Sequence, residues 1–197
     1  MPLLDVPYIK QHPELPSGCE VTALAMALSY HGQAVDKLTL AREMPKDVVP
    51  VERNEDGTIR IWGDPEDGFV GDPFGNGITI NPNPLKQVAD KYRPGSLALY
   101  QEEFGVIETH VANSHPVLVW FTIHHDMPTP RFWHTPNGKV IQAPRPLHCI
   151  VVTGVDDEYV YFHDCESTEK SGEHVKVEKA HFIQIYDAMG RRALIIT

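Results

Sequence analysis

Apolar residues early in the chain recur at helical spacing. Val21, Leu24, Ala25 and Leu28 stand at i, i+3, i+4 and i+7, the buried face of an amphipathic helix. Ser17-Gly18-Cys19-Glu20 just before them has the S-x-x-E form of a capping box. The pattern predicts a helix opening at Cys19, with Ser17 as N-cap, Glu20 reaching back, and Gly32 near the far end. Asp36 is placed to cap a second short helix running through Met44. Leu85 to Tyr92 reads as a third helix, with Pro84 at its start and Pro94-Gly95 beyond its end. The opening Leu3 to Gln11 segment reads as extended, because Pro2 and Pro7 discourage helix.

The pattern changes after residue 115. Pro116 to Ile123 is apolar at successive positions, the mark of a central strand covered on both faces. Asn137-Gly138 signals a hairpin between its flanking segments. Leu147 to Thr153 and Tyr159 to Asp164 predict a second hairpin around Gly154-Val155-Asp156-Asp157. Phe182, Ile183, Ile185 and Tyr186 suggest a short helix, and Ala193 to Ile196 a closing strand. Between the two halves, Pro45 to Pro84 is rich in Gly, Pro, Asp and Asn and reads as a long loop, of the kind that tends to be functional or disordered. Its Gly63-Asp64-Pro65 and Gly71-Asp72-Pro73 echo each other as turn chemistry. Helices first and antiparallel strands second make the class α+β.

With 197 residues and 42% hydrophobic content, residues 1–197 read as one globular domain with a sizeable core. The net charge of -10 and the lack of a Lys/Arg cluster argue against a nucleic-acid partner. The apolar run at Pro116 to Ile123 is too short to span a bilayer. No basic-then-apolar signal segment opens the chain, so the expected place is the cytoplasm, or outside the cell if such a segment was removed. Three cysteines cannot all pair. Cys149 and Cys165 could form one bridge, but three free thiols are the expected state.

Cys19 holds the most chemistry. In the first turn of its helix it sits among N–H groups with no intrahelical acceptor, and the helix dipole there favours a thiolate. Such a nucleophile needs a base, a group to orient that base, and donors for the developing oxyanion. His148 opens a strand just after Pro144-Arg145-Pro146 and is the candidate base. Asp164 ends the strand expected to pair with it and can orient the imidazole. The Cys19 N–H and the side-chain amide of Gln11 are the candidate oxyanion donors. His124-His125-Asp126, with His134 further on, offers metal-ligand types. Neighbours on a strand point to opposite faces, however, so a surface loop is the better reading. Trp62, Phe69 and Trp133 either line the cleft or fill the core. Cys149 and Cys165, each following a proposed catalytic residue, should face the other way as packing.

These residues stand in a familiar order. Leu4-Asp5-Val6-Pro7-Tyr8-Ile9-Lys10-Gln11 and Pro13 to Met26, with Ser17-Gly18-Cys19-Glu20 inside, resemble the start of the stand-alone C39-like relatives of the bacteriocin-leader-processing cysteine peptidases, in the papain-like clan. Phe69-Val70-Gly71-Asp72-Pro73 is similar to that family's FVGDP stretch, and Pro116-Val117-Leu118-Val119-Trp120 to its PVIVW strand. His148 to Gly154 with Val160 to Asp164 resembles its closing H-x-V-V-V-T-G…D pattern. The resemblance implies a papain-like fold with the cysteine helix packed on an antiparallel sheet. It also implies Cys19 as nucleophile, His148 as base, Asp164 as orienting acid and Gln11 in the oxyanion hole, with no cofactor and no metal. The implied substrate is a peptide or related amide, hydrolysed through a thioester. Two departures stand out. Cys165 occupies the place where the family often has proline after the acid, and Glu20 adjoins the nucleophile, where a free carboxylate opposes thiolate formation.

Three other readings share these residues. An acyltransferase or transglutaminase would pass the acyl group to an amine from the same triad. A non-catalytic binding module would keep the fold with an ordinary thiol. A metal enzyme would use the histidine-rich loop. The natural substrate and the oligomeric state are not written in the sequence.

Overall fold

The computed structural model describes residues 2–197. Among the described residues five α-helices are formed: α1 (Cys19–Tyr30), α2 (Lys37–Glu43), α3 (Pro82–Tyr92), α4 (Phe104–Ala112) and α5 (Lys179–Ala188). The strands are β1 (Lys46–Asp47), β2 (Glu52–Arg53), β3 (Ile59–Ile61), β4 (Phe69–Val70), β5 (Leu97–Tyr100), β6 (Val117–Thr122), β7 (Phe132–His134), β8 (Val140–Gln142), β9 (Leu147–Val155), β10 (Tyr159–Asp164), β11 (Gly172–Glu178) and β12 (Arg192–Ile195). Six of them make an antiparallel sheet in the order β11-β10-β9-β6-β12-β5.

β6 is buried at all its positions, as its continuous apolar run requires. Trp120 donates its indole N–H to Ile80 O at 3.1 Å on the side of α1, and the Phe121 ring stacks on Phe182 of α5, 4.5 Å between centroids, on the other. α1 lies in the core with Val21, Leu24, Ala25 and Leu28 at no exposure. Its C-terminus closes with a Schellman pair, Gly32 N–H to Ser29 O and Gln33 N–H to Leu28 O. Gly32 has φ +81°, a left-handed conformation that glycine adopts without strain. Asp36 caps α2 by accepting the Leu38 N–H, and α3 begins at Pro82, two residues earlier than the pattern predicts.

The predicted capping box is absent. Gly18 is the N-cap of α1 and contributes no side chain. Ser17 Oγ instead donates to Gly75 O at 2.7 Å and accepts the Gly77 N–H at 3.1 Å. Ser17 is thus spent on the 71–77 loop, which it ties to the start of the helix. In both echoing motifs the aspartate caps its own turn, Asp64 Oδ1 accepting the Glu66 N–H and Asp72 Oδ1 the Phe74 N–H.

The long central loop is not structureless. It contains β1 and β4, paired in parallel, and β2 and β3, which join β7 and β8 in a second sheet of order β2-β3-β7-β8. That sheet has its own small core of Trp62, Val70, Trp133, Ile141 and Ala143. Trp62 and Trp133 are therefore core residues, while Phe69 belongs to the main core. Among the described residues no helix is long and apolar enough to cross a membrane.

Candidate active site

The extended N-terminal arm runs to the far end of the β9–β10 hairpin. Leu4 N–H donates to Thr153 O, the Tyr8 hydroxyl to Asp164 O at 2.9 Å, and Gln11 N–H to Cys165 O at 3.0 Å. Cys165 Sγ in turn contacts Gln11 Oε1 at 3.5 Å and Cys19 O at 3.9 Å. The arm, the start of α1 and the end of β10 therefore converge on one buried sulfur. Cys165 is a packing residue, and so is Cys149, which lies opposite Trp120 in the sheet. All three cysteines are free thiols.

His148, the second residue of β9, and Asp164, the last of β10, are both 1% exposed. Nε2 of His148 lies 2.7 Å from Asp164 Oδ1. Burial alone would raise the Asp164 pKa. Hydrogen bonds from His125 and His148, the charge of His148 and the Glu166 N–H outweigh it and hold the carboxyl well below its usual range. An ionised Asp164 only accepts, so His148 Nε2 must carry a proton toward it, and Nδ1 is the nitrogen whose lone pair is free when the ring is neutral.

His125 also reaches this carboxylate, and the surface-loop reading of its segment fails there. Its Nε2 lies 2.7 Å from Asp164 Oδ2, and the residue is 6% exposed. His124 and His125 have φ of 67° and 59°, a left-handed backbone that non-glycine residues adopt at a cost. The strained turn after β6 aims His125 inward while its neighbour His124 stays exposed. His134 lies apart, on β7 of the second sheet. The run of two histidines and an acid is the signal that marked this loop in the sequence. The pairing with Asp164, 39 residues away, is visible only in three dimensions.

Cys19 occupies the first position of α1 and is 5% exposed. Among the described residues its thiol finds Glu20 Oε1 as acceptor, at 3.3 Å. Glu20 is fully buried, and its Oε2 accepts from Thr79 Oγ1 at 2.6 Å and from the Ile80 N–H at 3.4 Å. Burial first and the Glu20 charge second push the Cys19 thiol well above its usual range. The sequence expectation of a dipole-favoured thiolate is therefore reversed: half a unit charge at a helix end does not offset burial beside a carboxylate. Glu20 is itself raised by burial, with its hydrogen bonds opposing.

Gln11 is 2% exposed, not solvated, and its Nε2 donates to Pro16 O at 3.0 Å. An amide nitrogen has two N–H groups, so one remains for another acceptor. The Cys19 backbone N–H lies in the first turn, where no intrahelical acceptor exists.

The family described as "Peptidase_C39 like family" matches residues 3–194. The chain is 34% identical over 190 residues to the "Uncharacterized protein YvpB" of Bacillus subtilis (strain 168), covering 93% of this chain and 70% of that protein. It is also similar to a crystal structure of a "putative C39-like peptidase" from Bacillus anthracis. That match has a TM-score of 0.83 and 33% identity, over 99% of this chain and 96% of the other.

Proposed function

The chain belongs to the Peptidase C39-like family, and on that premise we propose that it hydrolyses peptide or related amide bonds with a Cys19–His148–Asp164 triad. The observation that carries this reading is the 2.7 Å contact between His148 Nε2 and Asp164 Oδ1, which turns the basic Nδ1 away from the acid.

The reaction begins when the Cys19 thiol leaves Glu20 for His148 Nδ1, which takes its proton. The sulfur attacks the amide carbon, and the carbonyl oxygen becomes an oxyanion held by the Cys19 N–H and the remaining N–H of Gln11 Nε2. As the C–N bond breaks, His148 gives its proton to the departing amine, leaving a thioester. Water then attacks the thioester carbon with His148 as base, and the acid product departs with the thiol restored. Asp164 holds the ring orientation and stabilises the imidazolium throughout. The raised thiol pKa favours proton transfer coupled to attack over a standing ion pair.

Replacing Cys19 with Ala tests the reading. Hydrolysis of a broad peptide and amide library should fall to background while the thermal melt stays close to that of the parent, since a small buried side chain is exchanged for a smaller one. A variant that still cleaves the parent's substrates at the parent's rate overturns the proposal.

A further inference from the structure

A cavity of about 750 Å³ lies between the β2–β3 hairpin, β7 and the segment 76–78. Two segments of its lining are tied, by a hydrogen bond and by the chain, to the elements that carry the proposed catalytic groups. Gly77 in the lining is bonded to Ser17 Oγ, two residues before Cys19. Arg145 in the lining stands three residues before His148.

Its charge departs from that of the chain. Against a net charge of -10, the lining carries Arg53, Arg60, Arg131 and Arg145. Arg60 is paired with Glu52. The other three have no carboxylate at ion-pair distance among the described residues. Arg53 donates to Gly57 O at 2.8 Å and Arg131 to Ala143 O at 2.9 Å, both neutral carbonyls. The carboxylate in the lining, Asp56, is already engaged by the Thr58 N–H and hydroxyl. Burial, followed by the charge of Arg145, lowers the Arg131 pKa to about 10. Two guanidiniums, Arg131 half-buried and Arg145 exposed, thus share the cavity with no carboxylate in ion-pair contact among the described residues. A fork of N–H donors without an acceptor fits an incoming carboxylate, which it can bind through two parallel hydrogen bonds. Phe132, 55% exposed, stands beside them and offers an apolar surface to a peptide side chain.

We propose that this cavity is the subsite for an acidic peptide segment, with carboxylates of the substrate held by Arg131 and Arg145. Its catalytic meaning rests on the cysteine-peptidase reading; its binding chemistry does not. A short acidic peptide suits the cavity size, whereas an extended phosphate backbone would run onto a surface of its own sign.

Calorimetric titration of the full-length Cys19→Ala chain at low salt, with end-blocked hexaglutamate and hexaglutamine, reads binding without turnover. Hexaglutamate should bind about tenfold tighter or more, as expected for hydrogen bonds to charged groups. Arg145→Glu should bring the two affinities together, and Arg145→Lys should keep part of the difference. Arg53→Glu, at a second exposed arginine, should weaken hexaglutamate on its own, so the result does not hang on one variant's folding. Equal affinities in the unsubstituted cavity, or a preference that survives both reversals, would overturn the proposal. So would displacement of hexaglutamate by a short oligothymidylate at lower concentration. Acidic binding in a chain whose Cys19 proves dispensable for hydrolysis would remove the peptidase reading alone. Cys19-dependent hydrolysis that ignores substrate acidity would remove the subsite alone.

Discussion

At the start of α1, Glu20 is enclosed by a hydroxyl, a backbone N–H and a thiol. At the end of β10, Asp164 is enclosed by two imidazoles and a backbone N–H. Both carboxylates are buried, and burial raises the pKa of each. They part company because Glu20's direct partners are neutral donors, whereas Asp164's include two groups able to carry a positive charge. Asp164 ends below its usual range and Glu20 above it. Hydrogen-bond number does not separate the two sites, since each carboxylate takes three. What separates them is the kind of donor: two imidazoles, one acting also through its charge, hold Asp164 down, whereas a hydroxyl, a thiol and a backbone N–H do not offset the burial of Glu20. The acid proposed to orient the base is kept ionised, and burial together with the acid beside the proposed nucleophile keeps the thiol protonated.

The harshest way to break this contrast is Asp164→Asn. It removes the charge and offers both imidazoles an amide. The value of kcat/KM on any substrate that parent cleaves should fall on the order of 10³–10⁴-fold through the wrong tautomer of His148. The same variant has a stability signature. A depressed carboxyl contributes stability that is full above its unfolded pKa near 3.9 and is lost as pH falls through the folded value. Urea midpoints should therefore drop below about pH 4 in the parent and drop less in Asp164→Asn. A raised carboxyl does the reverse, since its contribution is present below about pH 4.3 and is lost as pH rises through the folded value. Glu20→Gln should flatten that higher-pH decline.

His125→Gln makes a smaller cut. It leaves the His148 contact in place and removes one of two imidazoles from Asp164. We expect kcat to fall about tenfold to a hundredfold, the scale of one hydrogen bond to a charged group, with KM little changed. The acid limb of the kcat profile should move as well. An unchanged profile would reduce His125 to a packing residue. The mildest change is Glu20→Gln read at the thiol, where removal of the neighbouring charge should speed iodoacetamide labelling of Cys19 at pH 7 by about tenfold. Equal labelling rates would mean that burial alone sets the Cys19 pKa.

Some of this was legible without coordinates. The helix at Cys19, the buried strand at Val117–Thr122 and the hairpin of Leu147–Val155 with Tyr159–Asp164 all follow from local periodicity, and they supply much of the main core. The helix Phe104–Ala112 is not legible, because Gly105 and the β-branched Val106, Ile107, Thr109 and Val111 are weak helix formers. Packing of Phe104, Ile107 and Val111 against the core overrides that preference. The strand Gly172–Glu178 alternates only weakly and is half-buried at the sheet edge. The second sheet is built from strands of two or three residues drawn from segments far apart in sequence, and no local window contains its pairing.

The order of residues alone determined the family, the α+β class and the residue types of the candidate triad, because a helix start, a strand start and a strand end are local features. Charge state was decided only by the fold. Whether Cys19 is a thiol, whether Asp164 is ionised and whether three arginines lack partners all depend on which distant groups share a low-dielectric space. Coulombic and desolvation energies act through distance and burial, and neither is a function of sequence separation.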